Sequence, residues 1–220
     1  SGPLVIVVDD GWAAAPGWRQ RQDHMGALID KAERAGRNVA ILTTAPAAID
    51  EQPLPRGLLR PADARALVNA LKPKPWATDR AALAQTLDVA PLGSDATVVW
   101  VSDGLDDPAV SALGDKLRGV GALQLLLPNG EAAPVALLPP AAQGNELVLR
   151  AQRPASDAPR RIAVQASDEQ GRALARMEME FEAGANQAQV PFTVPNELRN
   201  RVTRLDIERQ NGAGGAVLLD

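Results

Sequence analysis

Cysteine is absent from this 220-residue sequence and histidine occurs once. The first absence excludes disulfides, thiolate metal sites and thiol nucleophiles, while leaving the redox compartment open. The second means that a hydrolase triad would have to use His24. That residue lies between Asp23 and Met25 in a helical pattern and reads as a helix-surface side chain, with no Gly-x-Ser-x-Gly elbow to pair with it. Long apolar runs are missing too. The longest candidate, Val120 to Leu138, is broken by Gln124, Pro128, Asn129, Glu131 and Pro134, short of the roughly 20 residues a bilayer span needs. No signal-peptide pattern opens the chain, which is expected to be a soluble fragment of a longer protein. The net charge of −4 is spread along the sequence, so no basic field is available to collect nucleic acid or anionic lipid.

What is present changes character once. Up to about Leu127, short β-branched runs alternate with helical patterns, the mark of βαβ units around a mostly parallel sheet. Leu4–Asp9 is continuously apolar until two carboxylates, as expected of a central strand covered on both faces. Trp18, Met25, Leu28, Ile29 and Ala32 recur at helical spacing before Gly36. Asn38–Thr44 predicts a second strand, followed by a surface loop around Pro53 and Pro55. Short helices are expected over Asp63–Leu71 and Thr78–Leu87, separated by Lys-Pro-Lys-Pro-Trp. Ala96–Ser102 predicts a strand, Asp107–Arg118 a helix, Ala122–Leu127 a strand, and Pro128-Asn129-Gly130 a turn.

Leu137–Gly144, with Pro139-Pro140, reads as a linker, giving domains over 1–138 and 145–220. Beyond it, apolar residues alternate with period two: Leu147/Leu149, Ile162/Val164/Ala166, Ala173 through Phe181, Val190/Phe192/Val194 and Leu205/Ile207. Turn signals stand at 168–171, 184–186 and 211–215, and Asn196–Asn200 reads as a crossover. Several short antiparallel strands predict an all-β immunoglobulin-like sandwich, with Met177, Met179 and Phe181 in its core.

Chemistry-bearing residues gather in the first part. Asp9-Asp10-Gly11-Trp12-Ala13, Ala77-Thr78-Asp79 and Ser102-Asp103-Gly104 end strands or open helices, and the carboxyl ends of parallel strands converge on a crevice where ligands bind. These positions resemble the metal-ion-dependent adhesion site of von Willebrand factor A (VWA) domains, in which Asp-x-Ser-x-Ser follows the first strand, a Thr opens a later helix and Asp-Gly follows the fourth strand. The resemblance covers roughly residues 3 to 128. It implies an α/β, Rossmann-like parallel sheet with helices on both faces, and assigns the metal position to Asp9, Thr78 and Asp103. The two serines are replaced by Gly11 and Ala13, which removes two neutral oxygen ligands. The site is therefore expected to be degenerate and empty. Mg²⁺ could be held only with extra waters or with help from Asp10, Asp79 or Asp106. Gly11→Ser with Ala13→Ser is expected to restore the ion.

The opening Pro-Leu-Val-Ile-Val-Val-Asp-Asp-Gly-Trp-Ala, the helix from Trp18 and a sandwich after an A-type domain also resemble bacterial aerotolerance-regulator (Bat)-type inner-membrane proteins. That resemblance implies a membrane-anchored full-length protein with this part at the periplasmic face. Other sites fit poorly. Thr43-Thr44-Ala45 lacks a receiver's phospho-accepting Asp, Gly11 stands where a dehalogenase-type phosphatase needs a second Asp, and no Gly-x-Gly-x-x-Gly follows the first strand. Two readings remain: a non-catalytic scaffold that contacts a protein partner, and a cation-dependent adhesion domain that binds a partner carboxylate through Mg²⁺.

Overall fold

The computed structural model describes residues 2–48, 57–87, 92, 95–128, 133–144, 146–208 and 216–218. The chain divides into two compact units, Ser1–Pro128 and Asn129–Asp220. The proline loop around Pro53 and Pro55, the turn residues 129–130 and the turn at 211–215 lie outside the described residues.

The first unit follows the βαβ grammar. Strands β1 (Leu4–Val8), β2 (Val39–Thr43), β3 (Ala96–Val101) and β4 (Gly121–Leu126) form a parallel sheet in the order β2-β1-β3-β4. Continuous apolar runs suit strands covered twice, and alternate residues serve opposite faces. Val5, Val7, Ala40, Leu42, Val98 and Trp100 pack against Leu83 of α3 (Arg80–Leu87) and Leu113 and Leu117 of α4 (Ala109–Val120). Ile6, Val8, Ile41 and Val99 pack against Met25 and Ile29 of α1 (Trp18–Arg34) and Ala64 and Val68 of α2 (Pro61–Ala70). Helices thus flank both faces, and the carboxyl ends of β1, β2 and β3 meet on one rim. Gly121, which opens β4, sits so close to β3 that a Cβ would meet the Ala96 carbonyl oxygen at 1.9 Å, so no side chain fits there.

Helix starts differ from expectation for local reasons. Pro61 occupies the first turn of α2, where its missing N–H costs nothing. Helix α3 begins after Asp79 rather than at Thr78, because the Asp79 carboxylate accepts the Ala82 N–H at 2.9 Å and acts as N-cap. A short 3-10 turn over Trp12–Ala14 was not visible in the sequence pattern.

The second unit contains two antiparallel sheets, β11-β10-β7-β8 and β5-β6-β9. Their strands are β5 (Ala136–Gln143), β6 (Glu146–Gln152), β7 (Arg160–Ser167), β8 (Ala173–Phe181), β9 (Gln187–Pro191), β10 (Arg204–Ile207) and β11 (Ala216–Leu218). A short helix α5 (Asn196–Arg199) stands at the expected crossover. One core contains Leu149 and Ala151 from β6 together with Met177, Met179 and Phe181 from β8. The segment read as a linker is instead β5, paired with β6 on one side only. Its two prolines break the register between Leu138 and Ala141 and are tolerated because an edge strand leaves N–H groups unused.

Arg153 replaces a salt bridge in this core with a set of carbonyls. Its guanidinium donates to the carbonyl oxygens of Ala185, Ala158 and Glu182 at 2.9–3.1 Å and lies 4.9 Å from the centre of the Phe181 ring. Burial lowers its pKa from the usual arginine value.

Candidate functional site

At the rim, Asp9 directly follows β1 and is fully buried. A buried carboxylate must be saturated with donors, and Asp9 is. Its Oδ1 accepts from Thr44 Oγ1 at 2.8 Å and from Trp100 Nε1 at 3.2 Å. Its Oδ2 accepts from the Asp103 N–H at 3.0 Å and from Arg80 Nη2 at 2.7 Å. Asp103, after β3, is 2 % exposed and accepts from Leu105 N at 2.9 Å and from the same Arg80 Nη2 at 2.6 Å.

Arg80 is the residue that organises the rim. It projects from the first position of α3 and is 2 % exposed. Nη2 is shared by Asp9 and Asp103, Nη1 pairs with Asp107, and the guanidinium lies 5.8 Å from the Trp100 ring centre. Burial works against its charge, but the fields of Asp9, Asp103 and Asp107 outweigh it and hold the pKa above the ordinary arginine value. Arg21 of α1 adds a second buried cation, with Nη1 donating to the Ser102 carbonyl at 2.7 Å. Burial lowers its pKa, while the charges of Asp103 and Asp9 act in the opposite direction.

Asp9 and Asp103 thus face two guanidiniums in a nearly dry environment, while the Asp107 side chain, which also pairs with Arg80, is 34% exposed at the cleft. The Asp103 pKa is pushed up to about 6 by burial and then by the neighbouring Asp9, against the pull of Arg80, so this carboxyl holds its proton more readily than a free one.

Asp10 points elsewhere. It pairs with Lys74 and accepts the Ala45 N–H at 2.9 Å, while the Lys74 N–H donates to its carbonyl at 2.7 Å. Burial raises its pKa, with Lys74 opposing. These contacts tie the Lys-Pro-Lys-Pro-Trp segment across the end of β1, and Trp76 Nε1 completes the tie by donating to the Pro46 carbonyl at 3.0 Å.

Above the ion cluster lies a cleft of about 380 Å³ lined by Gly11, Trp12, Thr78, Asp103, Asp106 and Asp107 among others. Of the sequence-derived trio, Asp9 and Asp103 are brought together through Arg80, while Thr78 lines the cleft with Asp103. Of the carboxylates named as possible helpers, Asp79 is spent as a helix cap, Asp10 is spent on Lys74, and Asp106 lines the cleft while its neighbour Asp107 binds Arg80. Among the described residues, no group of three or more His, Cys, Asp or Glu is arranged to hold a metal ion.

The sequence matches no family model and no curated protein. Among solved structures, the pilus adhesin SpaC from Lactobacillus rhamnosus GG is 17% identical over 48% of this chain, with a TM-score of 0.37. This chain spans only 16% of that adhesin's length. The SpRpn10 VWA domain is 10% identical over 60% of this chain and 91% of its own, at a TM-score of 0.34. A von Willebrand factor type A protein from Catenulispora acidiphila is 12% identical, covering 100% of this chain and 65% of its own, at a TM-score of 0.30. Likenesses at these values carry no argument about activity, and the architecture rests on the strand order and packing already described.

The rim also revises the expected effect of restoring the serines. A Cβ at Gly11 would meet the Trp76 carbonyl oxygen at 2.9 Å and the Thr78 nitrogen at 3.0 Å, both backbone atoms. The Trp76 carbonyl is held in place by the Trp12 N–H at 3.0 Å. Gly11→Ser is therefore expected to destabilise the first unit by about 1–3 kcal/mol, and Arg80 would still occupy both carboxylates. Melting Gly11→Ser/Ala13→Ser with and without millimolar Mg²⁺ should give the same midpoint. A Mg²⁺-dependent rise of several degrees would show that the rim can open for an ion.

Proposed function

We propose that the first unit is a VWA-type interaction domain in which the Arg80 guanidinium permanently takes the place of the divalent cation. It would bind a protein partner without turnover. The observation that carries the reading is the single Nη2 atom lying 2.7 Å from Asp9 and 2.6 Å from Asp103. Oxygens already committed to a fixed cation, Trp100, Thr44 and backbone N–H groups do not fit Mg²⁺, which requires near-octahedral oxygen coordination at short distances.

A built-in cation has a functional consequence. A metal-dependent adhesion site can be loaded and unloaded, whereas a covalently attached guanidinium keeps one rim conformation at all times. Partner capture by the cleft around Trp12, Thr78 and Asp106 would then be insensitive to chelators. The second unit, read as an immunoglobulin-like sandwich, would extend the contact surface of a scaffold. On the Bat-type resemblance, the full-length protein is membrane-anchored and displays these units at the periplasmic face of the inner membrane.

Isothermal calorimetry with Mg²⁺, Mn²⁺ and Ca²⁺ tests the reading. No saturable heat is expected at millimolar ion. Saturable binding that disappears in Asp103→Asn would favour the cation-dependent adhesion reading instead.

A further inference from the structure

The parallel sheet has one edge that the rest of the molecule's design makes conspicuous. Edge strands expose unpaired backbone groups and are normally guarded by charge, proline, bulges or a covering loop. Here β2 is covered through Val39 and Leu59, which exchange backbone hydrogen bonds of 2.9 and 2.8 Å. Strand β5 carries Pro139 and Pro140, and β9 ends in Pro191. Strand β8 carries Arg176, Glu178 and Glu180, all held in surface ion pairs.

Strand β4 has none of these guards. Gly121–Leu126 reads Gly-Ala-Leu-Gln-Leu-Leu, followed by Leu127, with no charge and no proline until Pro128. Among the described residues nothing pairs with its outer side. The Leu126 carbonyl accepts from Ser102 N at 2.9 Å and so faces β3; by alternation, the N–H and C=O groups of Leu123 and Leu125 face away from the sheet. Leu125 and Leu127 are 49% and 60% exposed, and the other exposed large hydrophobic among the described residues is Leu58.

The geometry points to a second copy of this chain as the occupant: two β4 strands pairing antiparallel about a two-fold axis at Gln124, joining two sheets into one. This register places Leu123 opposite the partner copy's Leu125. It also places the exposed Leu127 opposite Gly121, which offers no side chain to obstruct it. The outward-facing backbone groups of Leu123 and Leu125 meet as hydrogen-bonded pairs, and Gln124 meets its own copy as a non-hydrogen-bonded pair. An uncharged strand meets itself without like-charge repulsion.

Analytical ultracentrifugation of the full chain should give a species of twice 23.1 kDa that dissociates on dilution. Gln124 is exposed, so its variants should fold. Gln124→Lys puts two ammonium groups across the axis and should raise the dissociation constant severalfold; mixing it with Gln124→Glu should recover the dimer. Because the chain has no cysteine, Gln124→Cys should oxidise to a linked dimer across a Cα separation of about 4.5 Å, whereas Gln189→Cys on the guarded β9 edge should not. A chain that remains monomeric at high concentration, with Gln124→Cys crosslinking no faster than Gln189→Cys, overturns the proposal. So does a monomer whose Leu123 and Leu125 amides are protected from hydrogen exchange, since the edge would then be covered within one chain.

Discussion

Replacing Arg80 with Met should remove about 3–5 kcal/mol from the stability of the first unit at pH 7.5. The expected drop in melting temperature is on the order of 10–20 °C. Met keeps most of the apolar volume but leaves Asp9 and Asp103 buried without their shared cation, and an uncompensated buried charge costs far more than a missing contact. The readout is clean, because Trp12, Trp18, Trp76 and Trp100 all lie before Pro128 and tryptophan fluorescence therefore follows this unit alone. The deficit should also shrink as pH falls towards 5, since protonating the stranded carboxylates removes the penalty. Arg80→Lys should fall between, because an ammonium cannot reproduce the fork that reaches Asp9, Asp103 and Asp107 together. A Met variant as stable as the wild type at pH 7.5 would mean that the ion cluster is not what holds the rim.

The wild type should itself lose stability in the first unit as pH rises from about 4 to about 7, the reverse of ordinary acid denaturation. Asp103 has a folded-state pKa of about 6 against 3.8 for a free side chain. The folded state therefore holds the proton more tightly. The associated stability is fully present below about 3.8 and is lost as pH rises through 6, amounting to roughly 3 kcal/mol at 1.36 kcal/mol per unit. Asp10 is shifted in the same direction. Asp168, lowered first by the Arg172 backbone N–H and then by the Arg172 side chain, and Glu178, lowered by Arg176, act the opposite way, but both lie in the second unit, which tryptophan fluorescence does not follow. Urea unfolding followed by tryptophan fluorescence at pH 4.5, 6 and 7.5 checks the sign. In Asp103→Asn the slope should flatten. A first unit that gains stability steadily from pH 4.5 to 7.5 would contradict the charge arrangement described here.

Much of the first unit was legible because its strands are uninterrupted apolar runs and its helices keep a clear period. The boundaries moved where a single residue decided them: Asp79 capping α3, Pro61 entering the first turn of α2. Strand β5 was missed because Pro139-Pro140 reads as a break, and only its place at a sheet edge makes two prolines compatible with pairing. Asp9 and Asp103 were found by their position after parallel strands. Arg80 was not, since a search for oxygen ligands passes over cations. Its signal was nevertheless present: one arginine at the head of Arg-Ala-Ala-Leu-Ala-Gln-Thr-Leu, a helix with no other charge, placed two residues after the threonine of the pattern. Asp107 was hidden for a similar reason, because in a helix-opening Asp-Asp-Pro the sequence does not say which carboxylate turns inward.

Arg80 and any added divalent cation compete for the space between Asp9 and Asp103. A crystal structure of the full chain grown with millimolar Mn²⁺, with data collected for the anomalous signal of manganese, decides it. The expected map shows Arg80 Nη2 bridging the two carboxylates and no anomalous peak at the rim. A peak coordinated by Asp9 or Asp103, with Arg80 displaced into the cleft, would contradict it.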